Sequence, residues 1–536
     1  MTATLLLGID LGTSSVKALL LGVEGPGLSA PVAEATVDYP LSTPRPGWSE
    51  QDPSDWWEGV CAAIRQVVER AGAKAASIAG LALSGQMHGA TLLDAAGLVL
   101  RPCILWNDQR STRQCVEITD RLGLENLIEW VANPALPGFT APKILWVREH
   151  EPDVYARVAT VLLPKDYVNY RLTGQLCTEP SDASGTLLFD VARRRWSDDI
   201  MHALDLPAAM LPPVRESADI VGKITAEAAA ETGLLEGTPA VCGGADNACA
   251  AIGVGVVEEG EVMTSLGTSA TVVAPTPRLR LDPRARLHAF CHAIPDTWYL
   301  MGVVLSAGGS LRWFRDALAA EERNTVEREN RDVYDLLTAE AATAPPGSEG
   351  LIFLPYLTGE RSPHGDSNAR GVFFGLSPRH ARAHLIRSIL EGVSYALADS
   401  VDIMRDLDVA LDRISATGGG ARSSLWRQMQ ADVLGAPVVS MHSSSGPALG
   451  AAILAGVGVG AVPSIRETAR RIEVVEEVAP DPATHAVYES YRSVYTRLYP
   501  ALRDEFERLA DVVATIANMR HGCTGWQHVA VRGSNV

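Results

Sequence analysis

Apolar and polar positions along the chain alternate between two periods, and the clearest pattern occurs twice. LLLGIDLGTSSVKALLL (5–21) is an apolar run, a Gly-Thr-Ser break and a second apolar run; EVMTSLGTSATVVA (261–274) has the same layout. Each predicts a β-hairpin, with glycine supplying the turn and leucine or β-branched residues the flanks. SIAGLALSG (77–85) predicts a buried strand. RISATGGGA (413–421) predicts a strand entering a glycine turn, with a helix from Ser423. LEGTPAVCGG (235–244) reads as a strand that ends where Asp246 and Asn247 open a helix of small residues. Between these lie helical periods: SDWWEGVCAAIRQVVERAG (54–72), with Ser54 as the expected N-cap, and the long amphipathic 384–407. ALGAAILAGVGVGAV (448–462) is the most membrane-like stretch. It falls short of the roughly 20 residues that span a bilayer, so a buried helix is expected. Strands alternating with helices predict an α/β fold.

The tetrapeptide LGTS stands at 11–14 and again at 266–269, each time in a strand–turn–strand setting early in half a chain. This points to duplicated domains. The expected division is 1–254, 255–500, and 501–536 as a helix end passing into a loose tail from about 513. The copies differ at one position: Asp10 in the first corresponds to Ser265 in the second. An acid at the mouth of a loop suited to phosphate calls for an explanation.

The net charge of −18 over 536 residues argues against a nucleic-acid or anionic-membrane partner. An anionic substrate then needs a locally positive pocket or a metal. Eight cysteines, none in a C-x-x-C pair, fit no zinc template and read as reduced, buried thiols of a cytoplasmic protein. LLLGIDLG lacks a basic flank and is interrupted by Asp10, so no secretory leader is read from it.

Common nucleotide fingerprints are missing. There is no G-x-x-x-x-G-K-[ST], and GVGVGA (456–461) follows a helical run rather than a strand. Other glycine sites fit phosphate better. Gly12, Thr13, Ser14 and Ser15, with Lys17 beyond, offer N–H groups, hydroxyls and an ammonium. Gly267, Thr268 and Ser269 offer a second set, and Gly419–Gly420 a turn running into a helix. Together they favour a nucleotide held between two halves. Asp246 reads either as a helix N-cap or as a general base. Gly243, Gly244 and Ala245 strip bulk from its approach and favour the second reading. Met87 and His88, in SGQMHGATLLD, fall at a strand's C-terminal end, where α/β folds bind ligands. ILWNDQR (104–110) and LPYLTGERSPHGD (354–366) are polar clusters that line a site or merely form loops; the sequence leaves both open.

These residues resemble the FGGY carbohydrate kinases of the actin–hexokinase superfamily. GFTAPKILWVREH (138–150) and GVFFGLSPRHARAHLIRSILE (371–391) are similar to the family's signature segments. GWSEQDPSDWW, GQMHGATLLD, LRPCILWNDQRS, LLPKDY, GERSPH and GPALGAA add to the likeness, which covers roughly 4–500. The resemblance implies two ribonuclease-H-like domains flanking a cleft, with ATP and a small-molecule sugar as substrates. It implies phosphoryl transfer to the 5-hydroxyl of D-xylulose, with Asp246 as base and Met87, His88, Asp246 and Asn247 holding the sugar. Gly12–Ser15, Lys17, Gly267–Ser269 and Gly419–Gly420 match its nucleotide contacts. Asp10 is expected to hold Mg²⁺ beside the phosphates, directly or through water. Glycerol kinases carry Arg-Glu where this chain has Met87-His88, which counts against glycerol. Kinases of ribulose or related ketoses, and a non-kinase actin-fold ATPase, stay open, as does a homodimer.

Overall fold

The computed structural model describes residues 4–25, 27–72, 75–320, 332–441 and 446–522. Two large twisted sheets share one plan. In the first, β1 (Leu5–Leu11), β2 (Ser15–Glu24) and β3 (Gly27–Asp38) form an antiparallel meander. Next, β4 (Ile78–Gly85) lies parallel to β1, and β6 (Pro239–Ala245) parallel to β4. The short β5 (Ile220–Lys223) closes the edge, giving the order β5-β6-β4-β1-β2-β3.

The second sheet repeats this. β7 (Gly260–Leu266) and β8 (Ala270–Thr276) form the hairpin; β9 (His288–Cys291) and β10 (Trp298–Val304) extend the meander. β11 (Leu411–Thr417) lies parallel to β7 and β12 (Val438–Met441) parallel to β11, with β13 (Val474–Val478) at the edge. A three-strand meander continued by two parallel strands is the duplicated ribonuclease-H-like plan. The chain crosses between the sheets after the helix Asp246–Gly253.

The halves are joined by two helices rich in Gly and Ala. The helix Gly446–Gly458 follows β12 but packs on β1, β4 and β6 of the first sheet and against Asp246–Gly253. The approach is at backbone contact: a Cβ on Gly253 would lie 1.9 Å from the Gly446 carbonyl oxygen, and one on Gly450 2.0 Å from that of Cys249. One apolar core therefore runs from Leu6 and Leu19 through Ile252 and Leu454 to Met263 and Met301.

Local expectations meet the structure with two corrections. The first long helix is Pro53–Arg70, capped by Asp52, whose carboxylate accepts the Ser54 N–H at 2.9 Å; Ser54 lies inside the helix. The last helix spans Pro482–Gly522, so 513–522 is helical rather than loose, and the remaining tail lies outside the described residues. The 448–462 stretch is mostly the buried helix Gly446–Gly458, and among the described residues no helix is long and apolar enough to cross a membrane. The seven described cysteines are unbridged and buried; Cys523 lies outside the described residues.

Candidate active site

The register of the first sheet brings the acids together. Asp10 on β1 pairs with Lys17 on β2 and with Ser84 on β4, and Ser84 pairs with Gly244 on β6. Adjacent strands are about 4.8 Å apart, so Asp246, two residues past Gly244, emerges beside the end of that row. Ser84 donates to Asp10 Oδ1 at 3.0 Å. Burial pushes the Asp10 carboxyl up to about 6 against the opposing pull of Ser84 and Lys17. In the second sheet the matching row is Ser265 with Thr271 and Thr417. Every charge of the first row is replaced by a hydroxyl.

Asp246 is the first residue of its helix, not its cap. Ala245 holds the cap position, and the Asp246 carboxylate is half-buried at a cavity wall. Its Oδ1 accepts the backbone N–H and the side-chain amide of Asn247 at 2.7 and 2.8 Å. Asn247 Oδ1 in turn accepts from the Thr271 hydroxyl at 3.4 Å, which ties the acid to the second hairpin. Burial first, then the charge of Asp10, raises the Asp246 carboxyl to about 7, opposed by the Asn247 bonds. A carboxylate tuned near neutrality at a cavity wall is suited to accept a proton.

The cavity beside it encloses about 240 Å³. Both halves contribute: Met87, His88 and Trp106 from the first, Met301, Val303 and Arg361 from the second. His88 has a left-handed backbone, φ 73°. Its carbonyl accepts from the Thr140 hydroxyl at 3.0 Å and Lys143 Nζ at 2.8 Å. Its ring Nδ1 donates to the Gly185 carbonyl at 2.5 Å, which leaves Nε2 as the acceptor, and burial lowers its pKa to about 3. A Cβ on Gly185 would lie 2.7 Å from that Nδ1 and 2.9 Å from Met87 Cε, so only glycine leaves room for the pair.

A second cavity of about 420 Å³ adjoins through Gly267. Gly267 and Thr268 form one wall; Gly419, Gly420 and Trp426 form the other, with Tyr334 at the edge. The helix Gly308–Leu318 pins the hairpin tip, because the Gly308 and Gly309 N–H groups donate to the carbonyls of Gly267 and Thr268, both at 2.9 Å. Gly418, φ 82°, lies so close to β7 that a Cβ would sit 2.6 Å from the Leu266 carbonyl oxygen.

Met87, His88, Asp246, Asn247, Gly267 and Ser269 thus meet at one cavity, and Gly267, Thr268, Gly419 and Gly420 at the next. Gly12, Thr13, Ser14, Ser15, Lys17 and Asp10 border neither; they stand at the end of the neighbouring hairpin. There the Thr13 hydroxyl is occupied, donating to Gln86 Oε1 at 3.1 Å and accepting from Trp106 Nε1 at 2.9 Å. It orients the cavity wall rather than facing a ligand. Trp106 and Arg361 are the residues that sequence reasoning left unassigned, inside two clusters it had singled out. Among the described residues no group of three His, Cys, Asp or Glu side chains could hold a metal alone. One half-buried carboxylate beside a second fits Mg²⁺, which takes one or two protein carboxylates and completes its shell with water and phosphate oxygens.

Two family descriptions match the chain: the FGGY family of carbohydrate kinases, N-terminal domain, over residues 5–253, and its C-terminal domain over 262–459. A xylulose kinase of Bacillus subtilis (strain 168) is 40% identical over 500 residues, covering 93% of this chain and 97% of its own. The crystal structure of a xylulose kinase from Rhodospirillum rubrum superposes with a TM-score of 0.85 at 32% identity, covering 94% of this chain and 100% of that one. A gluconokinase of the same Bacillus subtilis strain is 30% identical, covering 94% of this chain and 98% of its own.

Proposed function

The chain belongs to the FGGY family of carbohydrate kinases, and from that premise we propose that its cleft transfers the γ-phosphoryl group of ATP to the 5-hydroxyl of D-xylulose. The observation that carries this reading is a single carboxylate, Asp246, raised toward neutrality at the wall of a cavity that both halves close, beside a second cavity framed by glycine turns. Residues 1–254 supply the acids and the Met87–His88 side of the sugar cavity, and 255–500 close that cavity and supply the nucleotide site.

Asp246 accepts the proton of the 5-hydroxyl as that oxygen attacks phosphorus; the bond to the β–γ bridging oxygen breaks and ADP leaves. Asn247 aims the carboxylate through two hydrogen bonds. Met87 and His88 hold the sugar against it, with His88 Nε2 accepting from a hydroxyl. Gly267–Ser269 and Gly419–Gly420 cradle the nucleotide, while the backbone of Gly12–Ser15, the Ser14 and Ser15 hydroxyls and Lys17 serve its phosphate end, the Thr13 hydroxyl being spent on Gln86 and Trp106. Asp10, oriented by Ser84, is the residue that would hold Mg²⁺. Bound Mg²⁺ neutralises phosphate charge, which is why an acid stands beside an anion loop. Little covalent work falls to the protein in such a transfer, so positioning and water exclusion carry the rate.

The test is coupled ADP release with D-xylulose, D-ribulose, L-ribulose, gluconate and glycerol in parallel. D-Xylulose is expected to give the highest kcat/KM. A higher value for another acceptor overturns the substrate assignment, and ADP release that no acceptor stimulates overturns the kinase reading.

A further inference from the structure

One charged group at the sugar cavity keeps its side-chain donors unspent among the described residues. Arg361 lines that cavity, and its guanidinium makes no hydrogen bond or ion pair among the described residues. Its neighbour Glu360 attracts it by charge without bonding it, since Glu360 Oε1 is spent on the backbone N–H groups of Leu305 at 3.0 Å and Arg361 at 2.7 Å. The loop is docked: the Ser362 N–H donates to the Val303 carbonyl at 3.0 Å, fixing Arg361 against β10. Tyr356 OH bonds His364 Nε2 at 3.1 Å and Tyr495 OH at 3.0 Å, and Tyr499 OH donates to Asp366 at 2.9 Å, so the long last helix braces the same loop. A guanidinium held by a docked loop, half-buried at the cavity wall with its donors unspent within the chain, is placed to meet a ligand oxygen.

Its place along the cavity narrows the choice of oxygen. A Cβ on Gly138 would lie 3.7 Å from Arg361 Nη2, and Phe139, the next residue, packs its ring 4.8 Å from the His88 ring. The guanidinium therefore sits at the Gly138–His88 end. Its charge is felt at His88, His288 and Lys143, whereas the charge felt at Asp246 is that of Asp10. A chain of five carbons with its 5-hydroxyl at Asp246 presents carbons 1 and 2 to this end.

We propose that Arg361 is the specificity-determining residue for the ketose: its N–H groups donate to the C2 carbonyl oxygen and the C1 hydroxyl of the acceptor sugar. This rests on the D-xylulose reading above. A planar guanidinium with several fixed donors matches an sp² oxygen and its neighbouring hydroxyl, which a polyol of the same length does not offer in one plane. Arg361 thus sets which acceptor is bound, and Asp246 what happens to its far end.

The experiment compares the full-length protein with Arg361→Met and Arg361→Lys by calorimetric titration of D-xylulose and of xylitol, which lacks the carbonyl, and by steady-state kinetics. Loss of one or two charge-assisted hydrogen bonds predicts a D-xylulose Kd and KM raised about 10- to 100-fold in Arg361→Met, with xylitol Kd changed less than about 2-fold. Arg361→Lys, which keeps charge but not the fork, is expected to recover only part of the affinity. ADP affinity, measured alongside, reports the fold. Equal weakening toward both compounds overturns the proposal, as does a fall in kcat with the D-xylulose KM unchanged, which would place the guanidinium on the phosphoryl group. Wild-type preference for gluconate would overturn it in favour of a carboxylate partner. If the wild type turns over D-xylulose while Arg361→Met keeps its ketose selectivity, only the role of Arg361 fails; if the wild type does not use D-xylulose, the reading beneath it fails.

Discussion

Replacing Asp246 by Asn tests the base, because a carboxylate held near neutrality costs stability at high pH that an isosteric amide does not. The folded carboxyl titrates at about 7 against an ordinary 3.8. A raised carboxyl pKa means the folded state holds its proton more tightly than the unfolded chain. The stability it confers is complete below pH ~4 and is lost as pH rises through ~7. At about 1.4 kcal/mol per pH unit the gap corresponds to about 4 kcal/mol, and for a half-buried group solvent screening reduces this to about 1–3 kcal/mol. An amide cannot ionise, so Asp246→Asn should be more stable than the wild type by about that amount at pH 8 and equal to it near pH 4. A carboxylate without this electrostatic penalty would instead give no pH-dependent difference between the two proteins. Urea midpoints of the ligand-free proteins at pH 4.5, 6.5 and 8 read this directly. In parallel, kcat should fall by about 10²–10⁴ or more, with the ATP KM within a few-fold of normal. Parallel pH–stability profiles would refute the electrostatic argument, and near-normal turnover would remove Asp246 from the chemistry.

Asp10→Ala should raise the Mg²⁺ concentration for half-maximal rate by about 10-fold or more, the scale expected on removing the one protein carboxylate offered to the ion; an unchanged magnesium dependence in coupled assays would sink the ion-holding role. Lys143→Met removes the ammonium that bonds the carbonyls of His88 and Gly138 and so frees the left-handed His88 backbone. The sugar KM is expected to rise about 10-fold with the ATP KM unchanged, and equal rises in both would indicate a general packing defect. Gly253→Ala places a methyl 1.9 Å from the Gly446 carbonyl oxygen, so denaturation should show a loss of about 3 kcal/mol or more; a change below about 0.5 kcal/mol would mean the two joining helices separate readily.

The parts of the site that were legible in the sequence are those built from contiguous residues. The two hairpins, the Asp246–Asn247 helix start, Met87–His88 and the Gly419–Gly420 turn each carry their own signal, because local turn chemistry and strand periodicity coincide there. Trp106 and Arg361 were not assignable, because each reaches the cavity from a loop whose direction depends on distant contacts: Trp106 on Thr13, Arg361 on Val303 and the last helix. The cap at Asp52 was misplaced by two residues because Pro53 occupies the first helical position, where it lacks the N–H that a preceding cap need not satisfy. The end of the last helix was missed for another reason. Leu509, Val512, Val513 and Ile516 keep helical spacing but remain exposed, so the period there is not tied to a buried face in the chain itself.

The difference between the two hairpins is what gives the cleft its direction. Both sheets present the same row at the same height, Lys17–Asp10–Ser84 in one and Thr271–Ser265–Thr417 in the other. Duplication alone would give two equivalent anion sites facing each other. Ionisable groups stand in only one row; in the other, hydroxyls take their place, and the charged side chains of the second half lie away from its row, at the cavity wall. Both acids in that half resist ionising, Asp10 because it is buried and Asp246 because it is buried and faces the charge of Asp10. A ligand set that brings both a cation and a hydroxyl proton relieves each of them in turn. The strain on these carboxylates and the reaction proposed for them are therefore one property, set by the register that aligns Asp10, Ser84 and Gly244 across three strands.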